Sequence, residues 1–172
     1  MIQAKTAAHI DASRYRDAMR RVPAAVTIVT TRFEEEANGL TVTAVCSVTA
    51  DPPQVLVCVN HGATAQSLIA KSRRFVVNFL SEAHEDRARR FSQAKLAGAV
   101  RFQGISWVSM ASGSPAMADA IVALDCRVNT DLACGTHVIF LADVIDIRVG
   151  SAAPLLYRAG EFCRLQGEGE TS

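Results

Sequence analysis

Hydroxyl side chains recur along an otherwise apolar stretch, residues 39–60, with the sequence GLTVTAVCSVTADPPQVLVCVN. Thr41, Thr43, Ser47 and Thr49 carry these hydroxyls, and Asp51 is the one charged residue of the stretch. Hydroxyls on a strand either face solvent from a half-buried sheet or line the edge of a polar ligand. The residues alone leave both interpretations open.

The sequence signatures of several other chemistries are missing. No Gly-x-Gly-x-x-Gly follows a strand, and no Walker loop, Gly-x-Ser-x-Gly elbow or His-Glu-x-x-His pair occurs. The cysteines are odd in number and include no Cys-x-x-Cys pair, so we expect reduced, structural thiols at Cys46, Cys58, Cys126, Cys134 and Cys163. No histidine joins them at zinc-ligand spacing, and we expect no metal.

Composition narrows the class of protein. The 172 residues are 49% hydrophobic and 20% charged, which is typical of a single globular domain. No apolar run reaches the roughly 18 residues of a membrane span, and the polar, charged N-terminus lacks a signal-peptide pattern. We therefore expect a cytoplasmic protein without a membrane partner.

Nucleic-acid binding is not expected either, because net charge is only +1 and aromatic residues make up 6% of the chain. The Arg89-Arg90-Phe91 run is open to two interpretations, a solvated helix face or a phosphate contact.

Apolar periodicity predicts the order of the elements. A first helix over 11–22 places Tyr15, Ala18, Met19 and Val22 on one face, and Pro23 ends it. Further short helices are predicted over 61–72 and 82–91, with Ser81 as an N-cap. Strands are predicted over 24–33, 40–50, 54–60, 74–80, 120–132 and 137–149, followed by a short hairpin within 154–165.

Turn chemistry places a tight hairpin at Asn38-Gly39, between the first two strands. Residues 92–119 form a looser region. Because most strands are consecutive and no β-α-β rhythm appears, the sequence predicts a mainly β fold with some α. We expect a small closed or partly closed antiparallel barrel with peripheral helices.

The collinear order of these segments closely resembles the flavin reductase-like family, short NAD(P)H:flavin oxidoreductases that supply reduced flavin to a separate monooxygenase. Its most specific parts are GLTVTAVCSVTADPP and the late GTHVIFLADV. The resemblance covers residues 14–165 and leaves tails at 1–13 and 166–172. It implies a split antiparallel β-barrel of the Greek-key, FMN-binding type, a homodimer, FMN or FAD as flavin, and NADH or NADPH as hydride donor.

The resemblance also implies where the flavin binds. Thr41, Val42, Thr43 and Ala44 correspond to the segment beside the isoalloxazine ring, and Ser47 to a phosphate donor. Family contacts after the next strand carry over to Val59 and Asn60, and those on the following helix to Thr64 and Ser67. Asn78 matches a recurrent family position. Each of these residues also has a plain structural explanation, as a strand hydroxyl, a turn residue or a buried amide.

His137 corresponds to the family's Gly-Asp-His turn, where the imidazole meets the nicotinamide rather than donating a proton. This chain has Gly135-Thr136-His137, and threonine lacks the charge with which a carboxylate orients an imidazole. The departure leaves the nucleotide preference and the rate open.

Hydride transfer between stacked rings needs no protein nucleophile, so no catalytic acid or base is predicted. Two alternatives remain. One is a non-enzymatic flavin- or haem-binding module on the same barrel. The other is a related FMN-dependent oxidase of a small molecule such as a pyridoxamine phosphate, which would need more basic residues than residues 39–60 offer.

Overall fold

The computed structural model describes residues 10–165, so the predicted tail 166–172 and most of the tail 1–13 lie outside the described residues. This range contains four α-helices and one 3-10 turn: α1 (Ala12–Met19), α2 (Thr64–Ser72), the turn Glu82–His84, α3 (Glu85–Ser92) and α4 (Gly98–Phe102). The first seven strands are β1 (Ala24–Ala25), β2 (Thr27–Phe33), β3 (Glu36–Val42), β4 (Val45–Ala50), β5 (Pro53–Asn60), β6 (Arg74–Phe79) and β7 (Trp107–Ser109). The others are β8 (Pro115–Met117), β9 (Val122–Cys134), β10 (His137–Val149), β11 (Leu156–Arg158) and β12 (Glu161–Cys163).

Seven strands form one antiparallel sheet in the order β3-β2-β6-β9-β10-β5-β4. Its edge strands, β3 and β4, are separated in the chain only by Thr43 and Ala44. A flat sheet of this width would hold its edges roughly 29 Å apart, whereas a two-residue link reaches about 10 Å. The sheet must therefore curl until its edges meet at this link. The prediction of a mainly β, antiparallel fold with some helices is confirmed.

The single strand predicted over 40–50 is wrong. Val42 pairs with Thr27 in β2, whereas Val45 pairs with Val57 in β5, so the run changes partners at Thr43-Ala44. Val42 and Val45, on either side of this change, both pack in the interior of the curled sheet, so the apolar pattern continues across it.

The hairpin turn predicted at Asn38-Gly39 is also wrong. The chain turns at Glu34-Glu35, where Glu34 has φ 53°, and Asn38 and Gly39 pair with β2 inside β3. Glycine is needed at 39 for a close approach instead, since a Cβ there would lie 2.9 Å from Cε1 of Phe91 in α3.

Apolar side chains pack on both faces of the sheet. Inside the curl lies a cluster that includes Val29, Val57, Val77 and Phe140, and Ile69 of α2 packs into it. On the opposite face, Ile28 and Val76 pack under Phe91 of α3, Met117 of β8 and Leu155.

Arg101 fixes the end of α3. It is only 5% exposed, and its guanidinium donates to main-chain carbonyls of Gly39, Phe91, Gln93 and Leu96. Carbonyls at a helix C-terminus are an electrostatically favourable partner for a cation. Burial lowers the pKa of Arg101. This residue therefore ties α3 to β3.

Helix α1 differs from the other long helices, because none of its residues is buried. The predicted apolar face exists, but Tyr15, Met19 and Val22 are 60%, 49% and 55% exposed. A main-chain bond from the N–H of Ala159 to the carbonyl of Arg20, 2.6 Å long, joins the end of α1 to the β11–β12 turn.

The five cysteines are free thiols, of which Cys126 is buried and Cys46 and Cys134 are exposed. Within residues 10–165, no helix has both the length and the apolar character needed to cross a membrane. Over the same range, no group of three or more histidine, cysteine or acidic side chains gathers as a metal site would require.

Candidate functional site

The link between β3 and β4 is the centre of the candidate site. Thr43 and Ala44 belong to neither strand and are exposed, although the Ala44 carbonyl accepts a bond of 3.0 Å from the N–H of Cys58. The small side chain of Ala44 leaves this link open to solvent, and main-chain N–H and C=O groups match the hydrogen-bonding rim of an isoalloxazine ring.

A groove of about 600 Å³ opens at this link. It brings together Thr43, Ala44 and His137, three of the predicted site residues, which come from two different parts of the chain. Its volume lies within the range of small-molecule sites, which is about 300–1,000 Å³. The rest of its wall comes from α1 and the residues that follow it, from β1 and from β11: Tyr15, Arg16, Met19, Arg20, Val22, Ala24 and Tyr157.

His137 is the first residue of β10 and is exposed. It pairs with Asn60 at the end of β5, so this predicted residue also lies beside the groove. The hydroxyl oxygen of Thr136 lies 2.8 Å from Nδ1 of His137. The threonine therefore contacts the imidazole. The sequence, in which this threonine stands where a carboxylate was expected, did not predict that contact.

A smaller cleft of about 180 Å³ adjoins the groove and shares Thr43 and Tyr157 with it. Arg89 of α3 lies over the Phe162 ring in this cleft, 4.8 Å from its centroid. The same guanidinium donates to Glu85 at 2.6 and 3.0 Å, so its charge is already partnered.

Several predicted residues use their polar groups inside the fold. Asn78 is fully buried: its amide donates to the Ile28 carbonyl at 2.9 Å and to the Thr30 hydroxyl at 3.1 Å. Its side-chain oxygen accepts from the N–H of Met117 at 2.8 Å. The structure therefore places Asn78 in the core, away from the groove.

Val42 and Val59 are likewise buried, at 7% and 0% exposure, and belong to the interior cluster. Thr41 lines the smaller cleft, but its hydroxyl donates to the Ala88 carbonyl of α3 at 2.7 Å. That bond, like the close approach at Gly39, positions α3 on β3.

The remaining predicted residues lie outside the groove with exposed side chains. Ser47 is on β4, opposite Val55. Thr64 begins α2, and the hydroxyl of Ser67 donates to the Thr64 carbonyl at 2.9 Å.

Sequence reasoning missed the residues that α1 and β11 contribute to the groove. The signals were present but incomplete: an amphipathic first helix, and the segment PLLY that contains Tyr157. An apolar helix face predicts burial somewhere, but it does not say against which strand.

Comparison with known proteins identifies the fold and its relatives. The family model described as Flavin reductase like domain matches residues 19–166. A Rhizobium rhizogenes protein named FMN reductase (NADH) RutF 2 is 46% identical over 134 residues, which is 78% of this chain and 77% of that protein.

Two solved structures are also similar. Streptomyces globisporus NADH:FAD oxidoreductase SgcE6 has a TM-score of 0.85 at 29% identity, covering 95% of this chain and 99% of that one. Nitrilotriacetate monooxygenase component B from Mycobacterium thermoresistibile has a TM-score of 0.85 at 27% identity, covering 93% and 89%.

Proposed function

Since the chain belongs to the flavin reductase-like family, we propose that it is an NADH-dependent FMN reductase that supplies reduced flavin to a separate monooxygenase. Its relative at 46% identity is named for NADH and FMN, which favours these two over NADPH and FAD. The similarity to a monooxygenase component supports the partner. We further propose that the curled sheet is a split barrel of the FMN-binding type.

The observation that carries this proposal is that Thr43-Ala44 and His137 line one groove. In the proposed reaction, NADH would give a hydride to FMN and become NAD⁺, and one proton from solvent would complete FMNH₂. The protein must hold two flat rings in contact and exclude water, and neither task needs a nucleophile.

The residues of the groove suit these tasks. The exposed main chain of Thr43 and Ala44 would bind the flavin rim, with the Ser47 hydroxyl further along β4 as a phosphate donor. His137 and Tyr157 would then hold the nicotinamide side. Neutral hydroxyls and main-chain groups give moderate affinity, which fits a flavin that leaves after reduction.

The test is to follow NADH absorbance after adding FMN, FAD or riboflavin in turn. Rapid oxidation with FMN supports the proposal. A protein that binds flavin but leaves NADH unoxidised would instead be a binding module. The carrier role fails if FMNH₂ stays bound through dialysis under nitrogen.

We also propose that the protein is a homodimer that works in the cytoplasm. The outward face of β5, β10 and β9 carries a partly exposed apolar patch of Leu56, Cys58, Leu132, Ile139 and Leu141. Polar residues border it, where Gln54 and Asn129 both donate to Asp143. An apolar centre with a polar rim is typical of an interface between copies. Free thiols suit a reducing compartment.

Analytical ultracentrifugation tests the dimer. Leu132→Glu should give a monomer, whereas Ala133→Glu, exposed on the same strand but on its opposite face, should not.

A further inference from the structure

Four arginines gather beside the groove at the end of α1. Arg16 and Arg20 line the groove itself. Arg20, Arg21 and Arg158 line a second groove of about 550 Å³, so Arg20 joins the two. Asp17 is the one carboxylate in this second groove.

The fold holds these arginines together. The 2.6 Å main-chain bond from Ala159 to Arg20 places the β11–β12 turn, and with it Arg158, against the end of α1. Arg16 and Arg20 are four residues apart on one helix, where like charges repel. The cluster therefore costs stability unless an anion neutralises it.

The side chains of this cluster are also uncommitted. Four other arginines lie within 4.0 Å of a carboxylate: Arg73, Arg87, Arg89 and Arg164. Among residues 10–165, no carboxylate lies within that distance of the four arginines beside α1. Since net charge is only +1, this is a local concentration of charge.

Resting on the function proposed above, we infer that this arginine cluster binds the pyrophosphate of the pyridine dinucleotide. Planar guanidinium groups match phosphate oxygens in pairs. With the nicotinamide at His137, the rest of NADH would extend along the groove, whose wall includes Arg16 and Arg20, towards Arg21 and Arg158. The Ser47 hydroxyl, assigned to the flavin phosphate, lines neither groove.

The experiment compares two hydride donors on Arg158→Glu and Arg21→Glu. NADH carries the pyrophosphate, whereas 1-benzyl-1,4-dihydronicotinamide has the same reactive ring and no phosphate. We expect each variant to raise the KM for NADH by at least about tenfold, and to leave kcat/KM for the benzyl donor with FMN unchanged. NADH binding without flavin, measured by titration calorimetry, should weaken by the same factor. Arg14→Glu is the matched control, on α1 but lining neither groove.

Each other outcome has a distinct meaning. An unchanged NADH affinity, or equal losses with both donors, overturns the inference. A raised KM for FMN but not for riboflavin, with the benzyl donor, would assign the cluster to the flavin phosphate and also overturn it. If the wild type neither binds NADH nor reduces flavin with either donor, the proposed function itself fails.

Discussion

The hydroxyl oxygen of Thr136 lies 2.8 Å from Nδ1 of His137. This contact occupies one ring nitrogen, and Nε2 has no hydrogen-bond partner among residues 10–165. Nε2 is therefore the ring nitrogen available to a ligand, and the uncharged Thr136 holds the ring through Nδ1. A hydroxyl thus contacts this ring at the position where the family resemblance implies a carboxylate.

Removing that hydroxyl should weaken nicotinamide binding. Thr136→Val keeps the shape of the side chain and loses the contact, so we expect the KM for NADH to rise about two- to tenfold, with the KM for FMN unchanged. His137→Ala should raise the KM for NADH by at least as much. If both variants keep the wild-type KM, His137 is only structural. The control is Thr130→Val, the same substitution at an exposed threonine of β9.

Ser47→Arg should abolish flavin binding without unfolding the protein. The side chain is exposed on β4, so arginine is accommodated, but its bulk would fill the position assigned to the flavin phosphate. Flavin fluorescence quenching measures affinity, and thermal unfolding checks the fold. Ala50→Arg, exposed at the end of the same strand, should bind flavin normally. Normal affinity in Ser47→Arg would refute the assignment.

Asn78→Ala should destabilise the fold and leave the FMN kinetics of the folded protein unchanged. The substitution strands the Met117 N–H in the core and removes the amide that donates to Ile28 and Thr30, which costs about 1–3 kcal/mol of unfolding free energy. Urea unfolding measures this loss. A stable variant with a raised KM for FMN would restore Asn78 to the flavin site.

The sequence predicted those features that depend on local periodicity. Residues 54–60 and 137–149 contain apolar runs rich in β-branched residues, and both form strands close to the predicted bounds. The change of partners at Thr43-Ala44 was invisible, because strand pairing depends on residues distant in the chain. The turn predicted at Asn38-Gly39 was wrong for a related reason. The same dipeptide suits a tight turn and the close approach of a helix, and only the position of Phe91 distinguishes the two.

Part of the lining of the candidate groove was also predicted. Thr43, Ala44 and His137 followed from the family resemblance and do line one groove. Tyr157 and the arginines of α1 meet there because a main-chain bond from Ala159 to Arg20 joins the β11–β12 turn to the end of α1, and no local pattern encodes such a bond.

Gly39→Ala should destabilise the protein through the contact with α3. The added Cβ would lie 2.9 Å both from Cε1 of Phe91 and from the carbonyl oxygen of Val29, and the main-chain oxygen cannot move easily. Overpacking of this kind costs about 1–3 kcal/mol of unfolding free energy, which chemical denaturation would measure. In a double-mutant cycle, Gly39→Ala should cost less in the Phe91→Leu background than in the wild type, but it should still cost stability because the Val29 contact remains. An unaffected single variant would contradict the close approach.

Acid should destabilise the fold through His84. This imidazole is 4% exposed; its Nδ1 accepts from the N–H of Ser81 at 3.2 Å, and its Nε2 lies 3.3 Å from Asp119. Burial lowers the pKa of His84 below its ordinary 6.5, and the nearby Arg87 lowers it further, while Asp119 opposes the shift. Below pH 6.5 the unfolded chain therefore binds the proton more readily than the folded one.

The free energy of unfolding should thus be highest above pH 6.5 and fall as the pH drops through the depressed pKa of His84. His84→Asn keeps an acceptor for Ser81 but cannot titrate. Urea unfolding of both proteins between pH 7.5 and 5 would measure the difference, with exposed His61→Asn as the control. We expect the difference in unfolding free energy between wild type and His84→Asn to narrow on acidification. Only the wild type has an imidazole at this position, and its protonation favours the unfolded chain. A gap that stays constant over this range would show that His84 does not govern the acid sensitivity.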